Sequence, residues 1–313
     1  MDNAQKIAAL AKNVGTAVKG KPDEVKFALV ALFAKGHLLI EDVPGIGKTT
    51  LAHALARSIN CTFQRIQFTS DLMPSDIVGV NVFNKNTQSF EFREGPIFAS
   101  IVLADEINRS TPKTQSALLE AMNEGQVTVE KETRTLPAPF MVIATQNPLE
   151  FHGTFPLPES QMDRFIMRIR LGYPRREHER EILKANRAEP VVKRLEPVLT
   201  ADDVLGLQAA VAEVRMDETL LDYLLAIVEA TRTSDQLALG VSPRGALYFE
   251  RAARALALVE GRTFCIPDDI KTLAPSVLAH RVIVEARTGG YGKRSQDAED
   301  IIHYIVETVP VPV

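Results

Sequence analysis

Long apolar runs are missing from this sequence: nothing in its 313 residues approaches the roughly 20 consecutive apolar positions that a membrane-spanning helix needs. The first residues, with Asp2 and no apolar core, do not read as a secretory leader, so a cytoplasmic location is expected. Cysteine is scarce. Cys61 and Cys265 are isolated, and the six histidines, at 37, 53, 152, 178, 280 and 303, share no ligand spacing, which argues against a disulfide framework or a zinc site. An excess of positive charge is lacking too: 36 Lys and Arg against 40 Asp and Glu leave a formal charge of -4 and a pI near 5.9. That balance argues against a mainly electrostatic nucleic-acid binder. What is present is ordinary, 45% hydrophobic and 24% charged residues, in a chain long enough for two domains with cores of their own.

The chain is organised around Glu41-Asp42-Val43-Pro44-Gly45-Ile46-Gly47-Lys48-Thr49-Thr50. Leu38, Leu39 and Ile40 read as a buried strand feeding a glycine turn, and Lys48, Leu51, Leu55 and Ile59 continue with helical spacing. Strand, glycine turn and helix in that order form a phosphate cradle. Gly45 and Gly47 let backbone N–H groups approach polyphosphate oxygens, the helix directs its positive end at them, and Lys48 adds a point charge. The Thr49 hydroxyl is the candidate for holding Mg²⁺, so metal arrives with nucleotide. Pro44, Ile46 and Thr50 complete the candidate nucleotide-binding set. Asp42 stands where a first glycine is usual, so the turn must open from a non-glycine conformation.

A second signal is Ile101-Val102-Leu103-Ala104-Asp105-Glu106, an apolar strand ending in two acids. Parallel strands present ligands at their carboxyl ends, which brings Asp105 beside the phosphate loop to orient Mg²⁺ and sets Glu106 to polarise an attacking water. A third strand, Phe140 to Thr145, ends at Gln146-Asn147-Pro148, and the Asn147 amide is a candidate for reading the γ-phosphate. Arg164, between a helical turn and the strand Ile166 to Leu171, is placed to reach a phosphate bound by a neighbouring subunit. Its alternative is a salt bridge. Residues 69–100 and 126–136 read as two projecting hairpins. Helices carry Ile7, Leu10 and Val14, then Val25, Leu29 and Leu32, with a break at Val18-Lys19-Gly20-Lys21. After Leu171 the pattern turns helical, over 177–187, 201–214, 218–231, 243–259 and 267–278. Tyr173-Pro174-Arg175-Arg176 reads as a hinge and Thr288-Gly289-Gly290-Tyr291-Gly292 as a loop. Arg244, just inside a helix start at Ser242-Pro243, is a cation at a positive helix end; it needs a phosphate nearby or an acid such as Glu250 or Asp235.

Gly45 to Thr49, Asp105-Glu106-Ile107-Asn108-Arg109, Ala144-Thr145-Gln146-Asn147-Pro148, Glu159-Ser160-Gln161-Met162-Asp163-Arg164-Phe165 and Val241-Ser242-Pro243-Arg244 resemble, in order and spacing, the MoxR family of AAA+ ATPases. The resemblance covers nearly the whole chain, and Glu41 to Gly45 looks like the family's own version of the loop. It implies an α/β fold: a P-loop NTPase domain over 1–172, a parallel sheet between helices with the two hairpin inserts, followed by a small helical lid over 173–313. It implies ATP and Mg²⁺, with Lys48 and Glu106 catalytic, Asn147 the first sensor, Arg164 the arginine finger and Arg244 the second sensor. Val18, Lys19 and Gly20 are then expected near adenine. Partners implied are a homo-oligomeric ring, a hexamer by family expectation, a von Willebrand factor A domain protein and a protein client matured or activated, including by metal cofactor insertion. Two other readings are a nucleic-acid motor, for which the hairpin tips lack strong positive charge, and a scaffold that binds nucleotide without hydrolysing it.

Overall fold

The computed structural model describes residues 1–148, 154–185, 191–285 and 291–312. Two helices, α1 (Asn3–Ala17) and α2 (Pro22–Phe33), precede β1 (Leu38–Glu41), the phosphate loop and α3 (Lys48–Ser58). Asp2 caps α1 and accepts the Gln5 amide at 2.8 Å, while Pro22 opens α2 at a position where a missing N–H costs nothing. There follow β2 (Phe63–Gln67), the short α4 (Pro74–Val78), the hairpin β3 (Gly79–Asn84) and β4 (Ser89–Glu94), β5 (Ile101–Asp105) and α5 (Pro112–Glu124). A second hairpin, β6 (Gln126–Val129) and β7 (Glu132–Thr135), leads into β8 (Met141–Gln146), α6 (Glu159–Met162) and β9 (Met167–Ile169). The five sheet strands pair in the order β2-β5-β8-β1-β9, all parallel.

Both faces of that sheet are covered, and the period of two in the side chains shows how. Leu38 and Ile40, Ile101 and Leu103, and Met141 and Ile143 enter one buried cluster with α1, α2 and α3. Leu39, Val102, Ala104, Val142 and Ala144 enter another with Leu118, Leu119 and Met122 of α5. The near-continuous apolar strands of the sequence are therefore strands buried on two sides.

The rest of the chain is α7 (Arg176–Ala185), α8 (Ala201–Glu213), α9 (Glu218–Thr233), β10 (Leu237–Leu239), α10 (Pro243–Val259), α11 (Pro267–Leu278), β11 (Ile283–Val284) and α12 (Tyr291–Thr308). Three features here differ from the expectation. β10 and β11 form a small antiparallel sheet, too short for their alternation to register in sequence. α12 is an 18-residue helix that sequence reasoning did not single out. In the expected loop 288–292, residues 288–290 lie outside the described residues and α12 already begins at Tyr291; likewise 186–187 of the helix expected to reach Arg187 lie outside them. Phe249 and Leu256 of α10, Val204 and Leu207 of α8 and Leu29 of α2 share one buried cluster, so the C-terminal helices pack on the helices that flank the sheet. No helix among the described residues is long and apolar enough to cross a membrane.

His37, just ahead of β1, is buried; its Nδ1 accepts the Val142 amide at 3.0 Å and its Nε2 donates to the Met122 carbonyl at 2.9 Å. Burial pushes its pKa down from 6.5 to about 4, against a smaller opposing effect of the Met122 bond. A proton added at Nδ1 would also face an N–H donor. The unfolded chain takes up that proton near pH 6.5 and the folded one near 4, so the contribution to stability is whole above 6.5 and falls away between 6.5 and about 4. The loss is on the order of 3 kcal/mol. Urea unfolding from pH 7.5 to 4 should show a shallower decline for His37→Gln than for the parent; parallel declines would count against this assignment.

Candidate nucleotide site

The carboxyl ends of β5, β8 and β1 lie side by side in that order, and the phosphate loop leaves the sheet from β1. Gly45 and Gly47 hold φ of +84° and +103°, a region closed to most L residues, and open space lies where a Cβ would stand at either. The backbone amides of the turn are thus approachable. Lys48 is buried at the start of α3 and its Nζ donates to the Asp42 carbonyl at 2.7 Å. Asp42 itself explains the missing first glycine: Oδ1 accepts the Val43 amide at 2.8 Å and Oδ2 accepts the Gly172 amide at 2.6 Å. A carboxylate opens the turn and ties it to the segment after β9.

A cavity of about 360 Å³ is lined by Pro44, Gly45, Gly47, Lys48, Thr49, Thr50, Arg65, Asp105 and Glu106. The β2–β5–β8 register builds its acidic wall. Asp105 Oδ1 accepts the Thr145 hydroxyl at 2.6 Å, and Oδ2 accepts Arg65 Nε at 3.0 Å and Nη2 at 2.6 Å. The same Thr145 oxygen accepts the Glu106 amide at 2.8 Å, so one hydroxyl positions both acids. Glu106 sits at φ 57°, ψ 49°, a left-handed conformation that costs a non-glycine residue of order 1–3 kcal/mol and turns its side chain out of the strand direction. Its carboxylate accepts Gln67 Nε2 at 2.8 Å and Arg109 Nη1 at 3.1 Å. The donor set suits a hard divalent cation: the Thr49 hydroxyl and the Asp105 carboxylate share the cavity, and a guanidinium already rests on the Asp105 oxygen as a stand-in charge.

Other candidates lie outside the lining of this cavity. Asn147 is buried immediately beyond β8. Arg164 follows α6 and donates from Nη1 to the Leu119 carbonyl at 2.7 Å; among the described residues it has no carboxylate partner, and its buried Nε has no hydrogen-bond acceptor. Arg244 is half-exposed and lies 4.0 Å from Asp163, in place of the Glu250 or Asp235 considered from sequence; Glu250 pairs instead with Arg254. Asp163 also accepts the Ser242 hydroxyl at 3.1 Å and Arg281 Nε at 3.0 Å. It therefore joins the turn that carries Arg164 to the helix that carries Arg244. Val18 is buried in the large apolar cluster, while Lys19 and Gly20 lie toward α7: Lys19 Nζ is 4.0 Å from Glu181, and a Cβ at Gly20 would stand 2.0 Å from the His178 ring. Ile46 packs into the apolar cluster under the loop.

Sequence reasoning missed Arg65, Gln67, Arg109, Thr145 and Asp163. Thr145, Arg109 and Asp163 stood inside quoted motifs, beside residues that drew the attention. Arg65 and Gln67 carried one usable signal, two polar residues at a spacing of two on an edge strand, which share a face.

A parallel sheet with a phosphate loop after β1 and paired acids at the end of β5, with β8 between the two, defines a P-loop NTPase of the AAA+ class. A family model described as "ATPase family associated with various cellular activities (AAA)" matches residues 37–167, and one described as "AAA lid domain" matches 229–303. The chain is 49% identical over 304 residues to the uncharacterized protein YeaC of Bacillus subtilis, spanning 96% of this chain and 93% of that one. It is 41% identical over 306 residues to Chaperone MoxR1 of Mycobacterium tuberculosis, spanning 94% and 79%. A crystal structure of a candidate ATPase from Cytophaga hutchinsonii superposes with a TM-score of 0.90 at 36% identity, covering 99% of this chain and 96% of that one. The chain belongs to the MoxR family of AAA+ ATPases.

Proposed function

We propose that this protein hydrolyses ATP with Mg²⁺ in a ring of like subunits and uses the cycle to remodel or mature protein clients in the cytoplasm. The observation that carries the reading is the pair Asp105 and Glu106 on the wall of the phosphate-loop cavity, both positioned by Thr145. Amides of Gly45 and Gly47 and the Lys48 ammonium hold the phosphates. Thr49 and Asp105 would hold Mg²⁺, which would supply charge neutralisation at the phosphate oxygens. Glu106 accepts the proton of the attacking water, once its carboxylate leaves Gln67 and Arg109, and Asn147 reads the γ-phosphate. Arg164 serves the site of an adjacent subunit and Arg244 acts as second sensor from the 173–313 lid, which works against the 1–172 domain; Val18 to Gly20 border adenine.

The chaperone role is supported by likeness to Chaperone MoxR1. By family resemblance, the work on clients includes metal cofactor insertion and a von Willebrand factor A domain partner. The hairpins favour a protein client over nucleic acid. Arg134 is spent on Glu132 and on the Phe92 ring, 4.0 Å from its guanidinium carbon, while Phe83 and Phe90 stand exposed.

Glu106→Gln is expected to reduce phosphate release by about 10²- to 10⁴-fold while ATP still binds. Turnover equal to the parent's would sink Glu106 as the base. A parent that binds ATP without turnover would favour the scaffold.

A further inference from the structure

We propose that Arg65 is a positioning residue, a built-in cation that occupies the metal-side carboxylate of Asp105 and yields it when Mg²⁺ arrives with the nucleotide. The inference rests on the ATPase reading above. Arg65 lies on β2 and reaches across to Asp105 with two nitrogens on a single oxygen, at 3.0 and 2.6 Å. Its Nη2 also donates to Gln67 Oε1 at 2.7 Å, which holds the guanidinium plane toward that carboxylate. The other Asp105 oxygen is taken by Thr145, so the oxygen under Arg65 is the one a metal must compete for.

Charge gives the reason. The cavity is lined by two cations, Lys48 and Arg65, and two anions, Asp105 and Glu106. Without Arg65 the wall carries a net negative charge, and a polyphosphate entering without metal meets it directly. With Arg65 in place the wall is neutral, and the metal must displace a guanidinium to be held. That displacement is feasible because the Arg65 side chain is half-exposed, at 49%, whereas Asp105 is nearly enclosed, at 12%. The buried partner and the doubled contact raise the pair above an ordinary surface bridge; the exposed arginine keeps its worth modest, roughly three- to tenfold in a binding constant.

The test is equilibrium binding of a fluorescent ADP to the full chain, in EDTA and across a MgCl₂ series, for the parent, Arg65→Met and Arg65→Lys. In Arg65→Met the Mg²⁺ concentration at half-maximal binding should fall about three- to tenfold, and affinity in EDTA should fall by a similar factor. Arg65→Lys, which keeps the charge, should stay within about twofold of the parent in EDTA. A Mg²⁺ midpoint that is unchanged or raised in Arg65→Met overturns the proposal. So does an equal loss of affinity with and without Mg²⁺, which would make Arg65 a phosphate ligand. A lowered melting temperature with an unmoved midpoint also overturns it, leaving Arg65 a strand-holding role. Failure of the parent to bind ADP even with Mg²⁺ would instead remove the ATPase reading on which the proposal stands.

Discussion

Arg164→Ala is expected to lower steady-state ATP turnover by about 10³- to 10⁵-fold, the range attributed to a guanidinium supplied to a transferring phosphoryl group. Arg164 does not line the nucleotide cavity of its own chain, so its charge has no task there. Among the described residues no carboxylate neutralises it; it rests on the neutral Leu119 carbonyl. The turn that carries it is nevertheless fixed, because the adjacent Asp163 accepts from Ser242 and from the buried Arg281. A charged group on a fixed turn, paid no counter-charge by its own chain, suits a site completed by a second copy. Turnover of the parent should then rise more than linearly with protein concentration, since a head-to-tail interface must form first. Losing one hydrogen bond from a charged donor costs about 1.5–3 kcal/mol of stability, less than the whole of a typical domain's, so the variant should remain folded. Concentration-independent turnover that survives Arg164→Ala would end the shared-site mechanism.

Arg168→Met is expected to cost about 3–5 kcal/mol of folding stability, the usual penalty for leaving a buried charge without its partner. Glu41, the last residue of β1, is 1% exposed, and the Arg168 side chain beside it is 4% exposed. Arg168 donates to Glu41 at 3.2 Å, to Ser295 at 2.6 Å and to Glu299 at 2.7 Å. Ser295 in turn donates to Glu41 at 2.9 Å, and Arg170 bonds Glu299 at 3.1 Å. This network locks the strand that enters the phosphate loop to α12. Glu41 Oε1 has no hydrogen-bond partner among the described residues, so the carboxylate depends heavily on Arg168. The double variant Glu41→Gln with Arg168→Met should recover part of the loss, because the uncompensated charge is gone. Urea unfolding measures both. A single variant within about 1 kcal/mol of the parent would show that Arg170, whose Nη2 lies 3.8 Å from the Glu41 carboxylate, suffices.

Reading the sequence found the sheet because its strands are apolar on both faces, a local property. It found the phosphate loop for a similar reason: glycines at Gly45 and Gly47, followed by a lysine and a helix, are a contiguous pattern. The hairpins were legible from alternation around polar turns. β10, β11 and α12 were not. Two short strands carry too few residues for a period, and the expected loop at 288–292 drew the reading away from the helix that starts inside it.

By itself, the sequence determined a set of buried parallel strands, a phosphate cradle, a strand ending in two acids and a mainly helical remainder. Each of these is written in neighbouring residues, through periodicity, glycine conformational freedom and helix caps. The tertiary structure alone decided that Arg65 sits on Asp105, that Gln67 and Arg109 hold Glu106, that Thr145 positions both acids and that Asp163 links Arg164 to Arg244. It also decided that Glu41, unremarkable as the first letter of the loop, is buried against Arg168 and the far end of the chain. These partners are separated by up to 254 residues, as Glu41 is from Ser295. Which side chain neutralises a buried charge depends on strand order and register, and no local pattern carries that information.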